Sequence, residues 1–241
     1  MKYGILGDIH ANFEALSAVL EEMGKAGVQR YISVGDVVGY GANPHEVLEK
    51  LRSLKTEIIS GNHDQAICGQ LSIEFFNSYA RASCLWTQKE LGEDELEFLR
   101  SFPLVKEFSG FTVTHSSLYY PENFEYIQNT YDAHLSFEHQ DARLCFIGHS
   151  HIPIVFYKKK KKVMFEQTNE IRLNDSEKVL VNVGAIGQPR DENPDAVSAV
   201  YDSDEGIIRL KRVRYDVDKA SRKIKDAGLP DILAERLKYG R

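Results

Sequence analysis

The sequence predicts an α/β protein whose core is a two-layered β-sandwich of mixed sheets flanked by helices, and three observations predict it. Up to residue 60 the chain alternates short apolar runs with helical periodicity, the βαβαβ pattern that implies parallel strands and right-handed crossovers. Beyond residue 102 it changes into a series of strand-like pieces, several joined by hairpin-grade turns. Five of the strands end in side chains of metal-ligating type, which places those side chains along one edge of a common frame.

The elements follow in order. "KYGIL" is a short apolar strand, after which Asn12 caps a helix carrying Leu16, Val19, Leu20 and Met23 on one face. "RYISV" is the second strand, and "NPHEVLEKLRSL" the second helix, with Pro44 suited to its first turn. "TEIIS" is the third strand. From Leu71 to about Phe102 the pattern is helical, with "EDELEFLRSF" as a second short helix. Then come "LVKEF", "FTVTH", "ARLCFIG", "IPIVFY", "KVMFE", "EIRL", "KVLVNVG", "AVSAVYD" and "IIRLKRV" as strands. The end reads as two amphipathic helices split at Gly228-Leu-Pro230. With no internal repeat and no low-complexity linker, residues 1–241 are expected to form a single domain with a helical C-terminal extension from about residue 216.

Composition narrows the class. The chain has 241 residues, 42% of them apolar and 27% charged, as in ordinary soluble proteins. No apolar run reaches the length of a membrane span, and "MKYGILGDIH" meets a carboxylate too early for a signal peptide, so a cytoplasmic location is expected. Cys68, Cys84 and Cys145 are isolated and odd in number, which points to reduced thiols, Cys145 lying in the core. A formal charge of −6 argues against binding duplex nucleic acid, while a homo-oligomer is compatible with the composition. The run Lys158 to Lys162 reads as a solvated hairpin tip, close enough in character to affect only a phosphate-rich substrate.

The polar residues after the strands carry the chemistry. They are Asp8 and His10, then Asp36, then Asn62, His63 and Asp64, then His115, then His149 and His151. Carboxylates, an amide oxygen and imidazoles suit Mn²⁺, Fe, Zn²⁺ or Co²⁺, with Mn²⁺ favoured, and fit poorly with Ca²⁺ or a thiolate site. They are too many for one ion; shared between two, they leave room for a bridging water or hydroxide, the arrangement used for phosphoryl displacement.

In this order "GDIHAN", "GDVVGYG", "GNHD", "THSS" and "GHSHIP" resemble the signature blocks of the calcineurin-like metallophosphoesterase superfamily. The later "NVGAIGQPRD", Asn182 to Asp191, is similar to a loop of its bacterial and archaeal phosphodiesterase branch. The resemblance implies the metallophosphoesterase fold and two divalent transition-metal ions. One would be held by Asp8, His10 and His151, the other by Asn62, His115 and His149, with Asp36 bridging and His63 as general acid. Asp64 either orients His63 or caps the segment that follows; His45, His134 and His139 fall outside every block. The second block has Tyr40 and no arginine, which disfavours protein serine/threonine phosphatases and dinucleoside tetraphosphate hydrolases. Arg190 and Tyr40 are the candidate substrate contacts, with Asn182 and Gln188 fixing the loop, although a purely structural turn accounts for that loop equally well. The expected activity is hydrolysis of a small phosphate ester, a diester before a monoester or nucleotide, by attack of a metal-bridging hydroxide. A non-catalytic metal-binding scaffold is the reading from another class.

Overall fold

The computed structural model describes residues 1–173 and 178–241. Strand β1 (Lys2–Leu6) leads into helix α1 (Phe13–Lys25), β2 (Arg30–Ser33), α2 (Pro44–Ser53) and the brief β3 (Glu57–Ile58). Three helices follow: α3 (Asn62–Ile67), α4 (Ser78–Glu90) and α5 (Glu93–Arg100). The strands β4 (Val105–Phe108) and β5 (Phe111–Thr114) form a hairpin, α6 (Thr130–Glu138) intervenes, and β6 (Leu144–Ile147), β7 (Ile154–Lys159), β8 (Lys162–Glu166), β9 (Glu170–Arg172) and β10 (Lys178–Asn182) continue. The chain ends with β11 (Ala196–Asp202), β12 (Ile207–Val213), α7 (Val217–Asp226) and α8 (Asp231–Tyr239).

Two six-stranded mixed sheets result, ordered β3-β2-β1-β11-β12-β9 and β4-β5-β6-β10-β7-β8. In the first, β1, β2 and β3 run parallel; in the second, β5, β6 and β10 do. Alternation along the strands builds the layers, since successive side chains point to opposite faces. Ile5, Leu144, Phe146, Val179, Val181 and Ala199 pack between the sheets, whereas Leu6 turns to the cluster around α1 and α2, and Cys145 and Leu180 to the one under α6. Phe146 contacts Phe111 on its own sheet and Tyr201 on the other, both with ring centroids 5.7 Å away.

Three local features depart from the sequence reading. The helical stretch expected from Leu71 begins earlier, at Asn62, and is broken before Ser78: Gly69 takes a φ of +82° and Asn77 starts α4 by accepting from Ala80 N. Strand β3 is shorter than "TEIIS" because Ser60 N bonds to Pro103 O, outside the ladder. Helix α6 shows no clean apolar face in the sequence, as only Ala133, Ser136 and Phe137 are buried; its signal is the cap Asn129, which accepts from Tyr131 N and Asp132 N. Elsewhere the caps act as read: Asn12 accepts from Ala15 N, and Pro44 opens α2. The run Lys158 to Lys162 does form the β7–β8 turn, with Lys158 paired to Glu138. No helix among the described residues is long and apolar enough to cross a membrane.

Because Phe146 is buried between the sheets, Phe146→Ala should cost about 3–5 kcal/mol through lost burial and the cavity left behind. A urea melt reads this as a lower midpoint with unchanged slope.

Candidate metal centre

The parallel strands β1, β2, β5 and β6 deliver their following residues to one edge of the sandwich, and β3 adds Asn62 at the first turn of α3. Asp8, His10, Asp36, His115, His149 and His151 are all buried there. They fall into two groups whose ligand-type atoms lie within 4.8 Å of one another: Asp8, His10, Asp36 and His151, and Asp36, His115 and His149. Asn62 joins the second group, its Oδ1 lying 3.2 Å from His115 Nε2. Asp36 belongs to both; its Oδ2 is 3.5 Å from His10 Nε2 and 3.4 Å from His115 Nε2.

The backbone is bent to make this possible. Asp8, His10, Asp36, His149 and His151 have φ values of 43°, 47°, 50°, 68° and 61°, a left-handed region that costs a non-glycine residue roughly 1–2 kcal/mol. Hydrogen bonds hold them. His10 N donates to Asp36 O at 2.9 Å, His149 N to Asp8 Oδ1 at 3.0 Å, and His63 N to Asp36 Oδ1 at 2.9 Å. The glycine in "GNHD" has a steric reason: a Cβ on Gly61 would lie 2.1 Å from Asp36 Oδ1. Gly148 is under the same constraint, 2.4 Å from Asp8 Oδ2.

The imidazoles are oriented from behind. Nδ1 of His10 faces Val38 O at 3.2 Å, that of His115 faces Val34 O at 2.9 Å, and that of His151 faces Gln188 O at 2.6 Å. A carbonyl only accepts, so each Nδ1 carries the proton and each Nε2 of a neutral ring turns a lone pair inward. His10 Nε2 and His151 Nε2 then meet lone pair to lone pair at 3.1 Å, beside Asp8 Oδ1 at 3.5 Å from the latter. Such a crowd of acceptors requires positive charge. A divalent cation fits the donor set, as imidazole and carboxylate suit intermediate transition metals. His149 Nε2 is buried without a partner, and its ring lies under Tyr126, with centroids 4.0 Å apart and planes at 20°.

Titration reflects the same crowding. Burial lowers His10, His149 and His151 well below the ordinary histidine range. His115 rises to about 9 in spite of burial, because Asp36 and Asp8 stabilise its charged form. Burial, with Asp36 adding to it, raises Asp8 to about 7.

His63 adjoins this cluster without joining either group. Its ring packs on Tyr40 at 4.4 Å, His10 at 5.0 Å and Phe76 at 5.2 Å. Asp64 does not orient it: Asp64 Oδ1 accepts from Val37 N and Val38 N, and Oδ2 from Gly61 N, so this carboxylate ties the second block to the third. A side chain placed by sequence next to a histidine is here turned into the turn that caps α3. The partner of His63 Nδ1 is Cys84 Sγ, 3.5 Å away on α4. Burial raises the Cys84 thiol to about 12, so it stays protonated beside the imidazole, and burial pushes His63 itself down to about 4 against the opposing pull of Asp36. No spacing in the sequence signals that contact.

In the loop after β10 each polar side chain has its own partners. Asn182 is a structural clamp, donating to Gly148 O and Ser150 Oγ, while Gln188 uses its carbonyl on His151. Arg190 reaches inward, donating to Gln188 Oε1 at 3.2 Å and Tyr40 Oη at 3.4 Å, with its Nε buried and unpartnered. His45 pairs with Glu95, His134 lies on α6 beside Glu138, and His139 follows the end of that helix; none of the three belongs to either group.

Comparison with known proteins agrees with this geometry. The calcineurin-like phosphoesterase superfamily domain matches residues 1–206. An uncharacterized protein of Methanocaldococcus jannaschii is 39% identical, over 98% of this chain and 97% of its own length. The crystal structure of a metallophosphoesterase from Sphaerobacter thermophilus superposes with a TM-score of 0.89 at 35% identity, covering 100% of this chain and 99% of that one. A hypothetical protein from Pyrococcus horikoshii shares the fold, with a TM-score of 0.82 at 21% identity over 100% of this chain and 98% of the other. Two mixed sheets with flanking helices, and histidines and carboxylates gathered where their strands end, thus accompany a sequence match over most of the chain: the protein belongs to the calcineurin-like phosphoesterase superfamily.

Proposed function

We propose that this protein hydrolyses small phosphate esters, diesters in preference to monoesters, with two divalent transition-metal ions, Mn²⁺ favoured, at the centre just described. The observation that carries the reading is the pair of donor groups sharing Asp36. Asp8, His10 and His151 would hold one ion, Asn62, His115 and His149 the other, and Asp36 both. When bound, such ions supply Lewis acidity toward phosphoryl oxygens and acidify water, so that a nucleophile exists near neutral pH.

The chain's own residues do the remaining work. In hydrolysis the oxygen of water bonds to phosphorus as the ester P–O bond breaks, and the departing alkoxide takes up a proton. His63 is the donor in its imidazolium form, an acid that burial strengthens to about 4, and it is left as neutral imidazole; its fit against His10, Tyr40 and Cys84 sets its direction. Arg190, anchored by Gln188 and Tyr40, offers a guanidinium to the phosphoryl group. A diester carries a single negative charge, which suits a second block that brings Tyr40 in place of an arginine.

Protons and ions compete for the centre. Without metal, His115 holds a proton below about pH 9 and Asp8 below about pH 7, so apparent metal affinity falls as pH falls. Calorimetric titration with Mn²⁺ in buffers of different ionisation enthalpy should show about one proton released per chain at pH 8 and about two at pH 6. A count of zero at both pH values contradicts the assignment.

Asp36→Asn should abolish loading of both ions, because an amide bridges poorly, while His10→Ala should empty one; elemental analysis of the two variants distinguishes these results. His63→Gln should keep the metal content, slow an alkyl phosphodiester by about 10²–10⁴-fold, and slow a nitrophenyl ester much less, since nitrophenolate leaves almost unaided. Equal losses on both esters would mean that His63 positions phosphate and gives no proton.

A further inference from the structure

Next to the metal centre lies a cleft of about 340 Å³ that the chemistry so far leaves unused. Its floor includes Asn62, His63 and His149, and its walls are aromatic: Phe75, Phe76, Phe124 and Tyr126. Phe75 is 94% exposed, the most exposed of the large apolar side chains described, and Tyr126 is 45% exposed above His149. An isolated exposed ring carries no message, but these open onto one cavity of ligand size that is continuous with the site. Phe76 sets its ring against His63, so the aromatic wall lies on the side from which a proton would reach a leaving oxygen.

The backbone is committed to this wall. Phe124 has a φ of +52° and nearby Tyr120 one of +49°, conformations that bulky side chains rarely take and that the surrounding structure must hold. Asn77 and Asn123 also line the cleft; Asn77 spends its Oδ1 on the cap of α4 and keeps its amide nitrogen. Flat π-systems are what exposed rings hold by stacking.

Resting on the phosphoesterase reading above, we infer that this cleft binds a planar aromatic group carried by the leaving alcohol of the ester, with Phe75 and Tyr126 as its specificity determinants. Two sources share that chemistry, a nucleobase on a nucleoside and a simple aryl ring. Either one places its ring in the cleft while the phosphoryl group faces the metal centre and Arg190.

Three phosphonates that carry carbon in place of the ester oxygen, and so resist hydrolysis, test this by calorimetry: those of adenosine, benzyl alcohol and ribose. At least one ring-bearing ligand should bind about tenfold or more tightly than the ribose compound, the size expected for one stacked ring. If adenosine alone gains, the source is a nucleobase; if benzyl gains equally, an aryl ring suffices. Phe75→Ala should remove the advantage, and Phe75→Trp should restore it. Equal affinity for all three ligands, or an advantage untouched by Phe75→Ala, overturns the inference. The two readings fail separately: ring preference without hydrolysis of any ester keeps the cleft assignment and removes the hydrolase, and hydrolysis without ring preference does the reverse.

Discussion

The structure turns on one electrostatic demand. Carboxylate oxygens, an amide oxygen and nitrogens of four histidines are buried against one another, three of the rings with Nδ1 tied to a backbone carbonyl. Nothing in that arrangement is stable without positive charge in the middle, whether a proton on His115 or a dication among all of them. The left-handed backbone at five of these residues belongs to the same account, because it is the means by which neighbouring positions such as Asp8 and His10, or His149 and His151, aim at a common point. Such strain persists only on a rigid support, and the sandwich, with Phe146, Phe111 and Tyr201 locked between its sheets, provides one.

Much of this was legible in the sequence because strands advertise themselves locally. An apolar run that stops at glycine and continues in aspartate or histidine fixes both an element and the place where its side chains emerge, and the parallel order of β1, β2 and β3 follows from the helices between them. What stayed hidden depends on contacts between distant segments. Whether Asp64 would face His63 or fold back on Val37, Val38 and Gly61 is decided by how two loops pack, a matter on which adjacency in sequence is silent. The thiol of Cys84 meets His63 from a helix that the cap Asn77 starts within a continuous helical pattern, and α6 lacks the apolar stripe by which a helix is seen.

The departures in the second block acquire a physical meaning together. Gly39, with a φ of +86°, lies where any Cβ would come 2.8 Å from His63 Nδ1, so the missing side chain makes room for the imidazole and leaves Cys84 as its partner. Tyr40, next in line, is buried, and its hydroxyl accepts from Arg190, which arrives from a loop far along the chain. Arg190 is thus held toward the centre by Tyr40 and Gln188, and a neutral thiol stands beside the imidazole of His63.

Helices α7 and α8 lie beyond the segment that matches the family, yet they are part of the wall around Tyr40. Ala220, Ile224, Leu233 and Leu237 pack in one cluster with that tyrosine, and Gly240 O accepts from Glu192 N beside the loop that carries Arg190. Helices α7 and α8 thus brace Tyr40 and the loop of Arg190 from outside that segment. Substitutions in the last two helices can shift Tyr40 and Arg190 by small amounts while the residues at the strand ends stay fixed.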